Sequence, residues 1–185
     1  MTDPVGPWTR TSRRVAYENP WITVFHDEVV RPDGSAGIYG VVHFTGSAVG
    51  VVAIDDHDRV ALVAQHRYTI DQRTWEIPEG GVPPGESPLA GAQRELREEA
   101  GVVASDWRQI ARVDISNSVT DEVATLFLAT GLRHGPSDLE SSESDLELDW
   151  VPFHDVLAMV MDGRITDALT VIAIQRVALE RVTGR

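Results

Sequence analysis

The sequence predicts an α/β (α+β) fold that opens with an antiparallel β-meander. Three observations predict it. Runs rich in β-branched and aromatic residues, separated by turn signals, fill most of residues 13–68. A capped helical pattern follows a loop rich in glycine and proline, and two further helical patterns close the chain.

The first 45 residues are expected to be a flexible start, residues 1–12, followed by a three-stranded meander over residues 13–45. Asn19-Pro20 and residues 31–34 are the turn signals between its strands. So small a sheet is marginal alone, and it needs the main domain or a second subunit to pack on.

Two strands are predicted next, over Ser47–Ile54 and Val60–Tyr68, joined by an acidic turn at residues 55–58. A metal site is conceivable in such a turn. Loops rich in aspartate are usually hydrated turns, however, and we favour that interpretation.

The loop Gly80–Glu86 contains too much glycine and proline to continue a strand or a helix, so a sharp turn is predicted. Ser87 then caps a helix over Pro88–Ala100. Gly101 suits the left-handed position just past its end.

Helical spacing gathers three carboxylates on one arc of this helix and small or apolar residues on the other: Glu95, Glu98 and Glu99 against Leu89, Ala92, Leu96 and Ala100. Like charges that close cost stability unless a cation lies among them. Hard oxygen ligands of this kind suit Mg²⁺ or Mn²⁺. The alternative is a solvated acidic face, with Arg94 supporting Glu98.

The C-terminal half is predicted to alternate strands and helices around one polar loop. The strands cover Trp107–Ile115, Glu122–Ala129 and Leu146–Val151, the helices Phe153–Asp162 and Asp167–Arg181, and the acidic surface loop Gly135–Asp145.

Composition excludes several classes of function. The net charge of −13 argues against nucleic acid or an anionic membrane as a partner, because both require a basic surface. The chain has no cysteine, which rules out disulfides, thiol catalysis and thiolate zinc sites. Residues 1–13 lack the apolar segment of a signal peptide and no run of about 18 apolar residues occurs, so we expect a cytoplasmic protein.

The motif around the first helix is the complete Nudix box: Gly80, Glu86, Arg94-Glu95-Leu96, Glu98-Glu99 and Gly101-Val102 at the spacing of that family. The chain therefore resembles the Nudix hydrolases. The resemblance implies an α/β/α sandwich with a mixed sheet over residues 46–185. It also implies hydrolysis of a nucleoside diphosphate linked to another moiety, with a divalent metal held by the box.

Carried over by position, the resemblance implies that Glu95, Glu98 and Glu99 are catalytic metal ligands. The backbone carbonyl of Glu79 would be a further ligand. Arg94 and Glu86 would pair to brace the loop against the helix.

The wider chain resembles the branch of ADP-ribose pyrophosphatases and nucleoside diphosphate sugar hydrolases. Four stretches carry this: the N-terminal meander, residues 65–67 with 75–80, residues 163–170, and the acidic loop before the last strand. The branch implies a homodimer through the N-terminal strands and a catalytic glutamate in the acidic loop, with Glu143 as first choice and Glu140 as second.

Five residues are candidates for substrate contact. Arg67, at a strand end, is a candidate to clamp phosphate, although a surface salt bridge is the alternative. Trp21 and Tyr39 are candidates to stack a base, or else core or interface residues. Glu76 and Ser118 complete the set.

One departure concerns the substrate. Typical ADP-ribose pyrophosphatases carry a proline where this chain has Ser116-Asn117-Ser118, which weakens the case for ADP-ribose itself and leaves nucleoside diphosphate sugars open.

Two alternative functions stay open as well. They are a non-catalytic nucleotide-sugar sensor of Nudix fold, and a Nudix enzyme of another class, such as nucleotide-pool cleansing, cap removal or isopentenyl diphosphate isomerisation.

Overall fold

The computed structural model describes residues 2–134 and 146–184. In these residues the strands are β1 Asp3–Val5, β2 Trp8–Glu18, β3 Ile22–Val30, β4 Ala36–Phe44, β5 Ser47–Ala53, β6 Arg59–Arg67, β7 Gln72–Glu76, β8 Glu79–Val82, β9 Val102–Asp114, β10 Val123–His134 and β11 Glu147–Pro152, and the helices are α1 Pro88–Ala100, α2 Phe153–Met161 and α3 Ala168–Thr183. They form two compact units, residues 1–47 with 114–123 and residues 48–113 with 124–185.

The first unit is a four-stranded antiparallel sheet in the order β1-β2-β3-β4. The sequence predicted a flexible segment over residues 1–12, but β1 and the start of β2 form a hairpin there. Gly6, at φ 57°, supplies the left-handed position of its turn, and Arg10 and Asp3 form an ion pair of 2.7 Å across it. The sheet therefore has one strand more than predicted.

An ion pair joins the second and third strands of this sheet. Arg13 donates from Nε and Nη2 to the two oxygens of Asp27, each at 2.7 Å, and its guanidinium lies 4.3 Å above the ring centre of Phe25. Asp27 is only 5% exposed. The hydrogen bonds from Arg13 lower the pKa of Asp27 below its ordinary value, against the opposing effect of burial.

The connection between β9 and β10 belongs to the first unit, although the sequence analysis placed it in the domain 46–185. It pairs with β4: Val42 N donates to Val119 O at 2.8 Å, and Val42 and Thr120 form a parallel bridge. Asp121 accepts hydrogen bonds from the amide of Phe44 at 3.2 Å, and its other oxygen lies 2.6 Å from Nδ1 of His43. The connection thereby extends the sheet at its β4 edge.

The second unit has two sheets, β8-β5-β10-β9 and β11-β6-β7, with β5 and β10 parallel and the pairs of β6 antiparallel. Alternate residues of β5 face opposite ways: Val52 joins a core with α2 and α3, while Val51 joins a core with α1. The same alternation occurs in β10, at Leu126 and Phe127. Helices thus cover both faces, which confirms the predicted α/β/α sandwich.

Strand β8 occupies a segment in which no strand was predicted. Gly80, Gly81 and Val82 lie in β8, where the sequence predicted a turn, because this segment lies beside β5 in the sheet and glycine tolerates an extended backbone. The turn comes later, at Gly85 with φ 92°. No helix among the described residues is both long and apolar enough to cross a membrane.

Candidate active site

Helix α1 has the predicted bounds because its ends are chemically specified. Ser87 Oγ accepts a hydrogen bond from the amide of Ala90 at 3.2 Å, Pro88 occupies the first turn, and Gly101 closes the helix at φ 63°. The exposure of its two faces differs from the prediction. Leu89 is 39% exposed, whereas Glu95 and Glu99 are 5% and 4% exposed, so two of the three carboxylates lie on the packed side.

The absence of a side chain at Gly80 makes room for Glu95. A Cβ at this position would lie 2.3 Å from the carboxylate carbon of Glu95. A Cβ at Gly91 would similarly lie 2.6 Å from a methyl carbon of Val82. The two glycines therefore let helix and strand approach until the carboxylate of Glu95 rests on the backbone of β8.

Arg94 connects the loop with two of the helix carboxylates. Its guanidinium donates to Glu86 at 3.2 Å, to the carbonyl of Gly81 at 2.6 Å, to Glu95 at 2.6 Å and to Glu98 at 3.1 Å. The pairing of Arg94 with Glu86 that the motif implied is thus present. Although burial opposes its charge, the hydrogen bond to Glu86 and the charge of Glu95 raise the pKa of Arg94, so it stays protonated.

Glu79 lies next to Gly80, at the start of β8. Its backbone amide donates to Glu99 Oε2 at 3.0 Å, which fixes the third helix carboxylate against the same strand. The carboxylates of Glu95 and Glu99 thus lie against the same strand, and hard oxygen donors of this kind suit Mg²⁺ or Mn²⁺. The carboxylate of Glu95 takes the space that a Cβ at Gly80 would need. This placement of a carboxylate against the strand fits a bound Mg²⁺ or Mn²⁺.

Arg67 is held by two carboxylates. Its Nε lies 3.0 and 2.9 Å from the oxygens of Glu76, and its Nη2 donates to Glu76 and, at 2.9 Å, to Glu79 Oε1. Burial disfavours the charge of Arg67, but Glu76 and Glu79 raise its pKa. Nη1 has no partner among the described residues, and it is the nitrogen left to reach a phosphate.

Glu76, a candidate for substrate contact, lies against Arg67. The residue is 2% exposed, and both oxygens accept hydrogen bonds from Arg67, with a further one from Thr74. Its carboxylate orients the guanidinium of Arg67 and has no surface to offer to a ligand.

Sequence reasoning did not recognise Asp167 as part of this site. Glu76, Glu79 and Asp167 each place a carboxylate oxygen within 4.8 Å of the others. In sequence Asp167 marks only the start of α3, where its Oδ2 accepts from the amide of Thr170 at 2.7 Å. No local sequence pattern connects Asp167 with Glu79, because the two residues are 88 positions apart in the chain.

Burial raises the pKa of Glu79 well above its ordinary range, and the charges of Asp167 and Glu76 raise it further, against the effect of Arg67. Its Oε2 atom is buried without a hydrogen-bond partner in the described structure. A carboxylate in such surroundings favours a proton or a cation.

The candidate substrate residues of the first unit lie at two separate places. Tyr39 donates from its hydroxyl to the carbonyl of Ser118 at 2.8 Å, and Trp8 packs edge-on against its ring at 5.7 Å. Trp21 is 72% exposed, and its carbonyl accepts from Thr45, six positions along from Tyr39. At about 3.3 Å per residue that is roughly 20 Å, so Trp21 and Tyr39 of one chain cannot enclose the same base.

Tyr39 also lines a cavity of about 280 Å³ in the first unit. The remaining lining is apolar apart from two ion-paired arginines and one aspartate: Val5, Trp8, Arg10, Arg13, Asp27, Val29 and Val41. Glu140 and Glu143, the candidates for the catalytic base, lie outside the described residues.

The chain is similar to two protein families and to several known proteins. Residues 45–169 match the family model of the NUDIX domain, and residues 8–42 match that of the nucleoside diphosphate sugar hydrolase N-terminal domain. An ADP-ribose pyrophosphatase of Mycobacterium tuberculosis is 35% identical over 150 residues, 80% of this chain and 72% of that protein. One from Bacillus subtilis is 32% identical over 160 residues, 86% of each chain. The crystal structure of an ADP compounds hydrolase shares the fold, with a TM-score of 0.86 and 21% identity over 99% of both chains.

Proposed function

Because this chain belongs to the Nudix hydrolase family, we propose that its substrate is a nucleoside diphosphate joined to a sugar, either ADP-ribose or a nucleoside diphosphate sugar. The relatives named as ADP-ribose pyrophosphatases support this substrate class, and so does the match of residues 8–42. The chain has Ser116-Asn117-Ser118 where a proline is typical, and this keeps both kinds of sugar in the proposal.

The reaction is hydrolysis of the pyrophosphate bond. The oxygen of a water molecule forms a bond to one phosphorus as the bond from that phosphorus to the bridging oxygen breaks, and a carboxylate accepts the proton of the water. The products are a nucleoside monophosphate and a sugar phosphate. Glu143, and after it Glu140, are our candidates for the carboxylate.

Glu95, Glu98, Glu99 and the carbonyl of Glu79 would hold Mg²⁺ or Mn²⁺ in the box. When bound, the metal would neutralise negative charge on the phosphate oxygens and lower the pKa of a bound water. Arg94 keeps Glu95 and Glu98 in place, and Nη1 of Arg67 would contact a phosphate.

One observation carries the proposal: the carboxylate of Glu95 occupies the space that a side chain at Gly80 would fill, beside Glu99 bound to the backbone of Glu79. A solvated acidic face would not bury these groups to 5% and 4% exposure. Two buried carboxylates aimed at one strand are the arrangement that a metal-dependent hydrolase needs, whereas a sensor does not require it.

The first test is the release of monophosphate from ADP-ribose, GDP-mannose, UDP-glucose, NADH and a nucleoside triphosphate, with Mg²⁺ or Mn²⁺ and with chelator. We expect one linked diphosphate to be cleaved far faster than the triphosphate, and chelator to stop the reaction. Binding of these compounds without turnover would favour the non-catalytic sensor.

The second test replaces Glu98 by glutamine, which keeps the volume and removes the charge. We expect Glu98→Gln to lower kcat about 100-fold or more while thermal unfolding changes little, because this side chain is partly exposed on α1. Glu18→Gln, an exposed substitution at the end of β2, is the matched control. Parental activity in a folded Glu98→Gln protein would remove the box from the mechanism.

A homodimer formed through the N-terminal strands also belongs to the proposal. Five large apolar side chains of the first unit are more than half or about half exposed: Val5, Val15, Tyr17, Trp21 and Ile38. Sedimentation velocity should show a dimer that Ile38→Asp weakens and Glu18→Gln does not.

The cytoplasmic location expected from the sequence stays a prediction.

A further inference from the structure

A second group of carboxylates lies outside the box. Glu79 and Asp167, together with Glu76, bring three carboxylate oxygens to within 4.8 Å of one another, and among the described residues the guanidinium of Arg67 binds two members of the group, Glu76 and Glu79. If all are ionised, two negative charges are uncompensated in a site where Glu76 and Glu79 have side chains only 3% and 12% exposed. Charges so placed require a partner.

The oxygens that need a partner can be identified. Glu76 is saturated, because its two oxygens already accept from Arg67 and Thr74. Glu79 uses Oε1 for Arg67, while its buried Oε2 has no hydrogen-bond partner among the residues that the structure describes. Asp167 uses Oδ2 for the amide of Thr170, and Oδ1 has no partner among the described residues.

We propose that Glu79 Oε2 and Asp167 Oδ1 bind a hard divalent cation, Mg²⁺ or Mn²⁺, at a site separate from the box. The carboxylate of Glu76 contributes charge without direct contact. Oxygen ligands lie about 2.1–2.5 Å from such ions, so two ligands of one ion are at most about 5 Å apart. One carboxylate oxygen of Glu79 lies within 4.8 Å of one of Asp167, which is inside this limit. Carboxylate oxygens are the donors these ions prefer.

The new site and the box share only the residue that joins them. Glu79 donates its backbone amide to Glu99 and directs its side chain to Asp167 and Arg67. A cation at the new site would also balance the negative charge that Arg67 alone does not compensate. The inference concerns cation binding by the free protein and does not depend on which substrate is cleaved.

The test counts bound Mn²⁺ by electron paramagnetic resonance of the free ion, using the full chain without substrate. Asp167→Asn removes the charge at the new site, yet asparagine can still cap α3 with its side-chain oxygen. Glu79→Gln is a second variant with the same purpose. Asp155→Asn, at an exposed aspartate of α2, is the matched control, and thermal unfolding verifies that each variant is folded.

We expect Asp167→Asn and Glu79→Gln to lose one equivalent of Mn²⁺, or to bind it about tenfold or more weakly. Asp155→Asn should titrate like the parent, and Glu98→Gln should keep the equivalent that Asp167→Asn loses. Parental titration of both site variants would overturn the inference and would mean that Glu79 holds a proton instead of a metal ion. Loss of all binding in Glu98→Gln would overturn it too.

The outcome is independent of the hydrolase assignment. Turnover of a linked diphosphate with an unchanged Mn²⁺ count in Asp167→Asn would refute the second site alone. A lost equivalent in Asp167→Asn, without turnover of any compound tested, would refute the proposed substrates alone.

Discussion

At the scale of single residues, the position of Glu95 depends on the absence of a side chain at Gly80. Gly80 has no Cβ, and the carboxylate of Glu95 occupies that space. The atoms that a Cβ would meet are the far end of a flexible side chain, so Glu95 can move aside with little loss of packing. A side chain at Gly80 is therefore expected to displace the carboxylate of Glu95 more than it disturbs the packing of the helix.

We predict that Gly80→Ala lowers kcat/KM about 10- to 100-fold, because it displaces a carboxylate assigned to the metal. The midpoint of thermal unfolding should change by only a few degrees. Gly81→Ala is the control, since a Cβ at Gly81 has nothing within 4 Å. Equal activity of the two variants would show that the position of Glu95 is irrelevant to turnover.

Residue-scale features were predictable where chemistry is local. The sequence indicated the cap at Ser87, the left-handed Gly101 and the pairing of Arg94 with Glu86, and all three are present. It did not indicate the burial of Glu95 and Glu99, because helical periodicity assigns charged residues to the solvent side. Only the approach of β8 to α1 puts them inside.

At the scale of elements, the start of α3 supports the segment that leads into the box. The hydroxyl of Thr170, which is fully buried, accepts a hydrogen bond from the amide of Ile77 at 2.9 Å. Ile77 lies between Glu76 and Glu79, so this one bond fixes the backbone that carries both partners of Arg67. Thr170 is thus a positioning residue.

We predict that Thr170→Val destabilises the protein by about 1–3 kcal/mol, because valine fills the space but leaves the amide of Ile77 buried without a partner. The loss should appear in chemical denaturation together with a higher KM. Thr170→Ser retains the hydroxyl and should recover most of both values. If serine and valine behaved alike, packing and not the hydrogen bond would explain the effect.

The elements themselves were predictable to different degrees. Helix α1 was correct to the residue because Ser87, Pro88 and Gly101 define its ends. Strand β8 was missed because Gly80 and Gly81 have no preference for a strand, and its pairing with β5 decides its conformation. The group of Glu76, Glu79 and Asp167 was missed for the same reason, since it forms only when α3 packs beside β7 and β8.

At the scale of the whole molecule, an acidic chain depends on a few buried ion pairs. Asp27 and Arg13 tie β2 to β3, and this pair lowers the pKa of Asp27 from 3.8. An aspartate with a lowered pKa binds fewer protons in the folded than in the unfolded state. Its contribution to stability is therefore fully present above pH 3.8 and is lost as the pH falls through the lower folded pKa.

We predict that Asp27→Asn lowers the thermal midpoint at pH 7 and reduces its further fall below pH 3.8. As the solution is acidified, the thermal midpoint of the parent should fall toward that of Asp27→Asn. The two curves of midpoint against pH should therefore approach each other. Asp56→Asn, at an exposed turn, is the control for the removal of one aspartate charge. A constant gap between Asp27→Asn and the parent would mean that the ion pair does not titrate.

The arrangement of the substrate candidates could not be predicted at this scale. The sequence makes both Trp21 and Tyr39 candidates to stack a base, but the register of β3 and β4 separates them along the sheet. The pairing of residues 119–121 with β4 has no periodic signal, because it consists of backbone hydrogen bonds that any side chain permits.

That last pairing has an evolutionary consequence. Val42 holds Val119 and Asp121 by main-chain atoms, so the tip of the connection at Asn117 and Ser118 can change its side chains without losing its attachment. Such a tip can accept single substitutions while the strands that hold it stay in place. Grafting the corresponding tetrapeptide from a relative onto residues 115–118 would test whether this tip contributes to the choice of substrate.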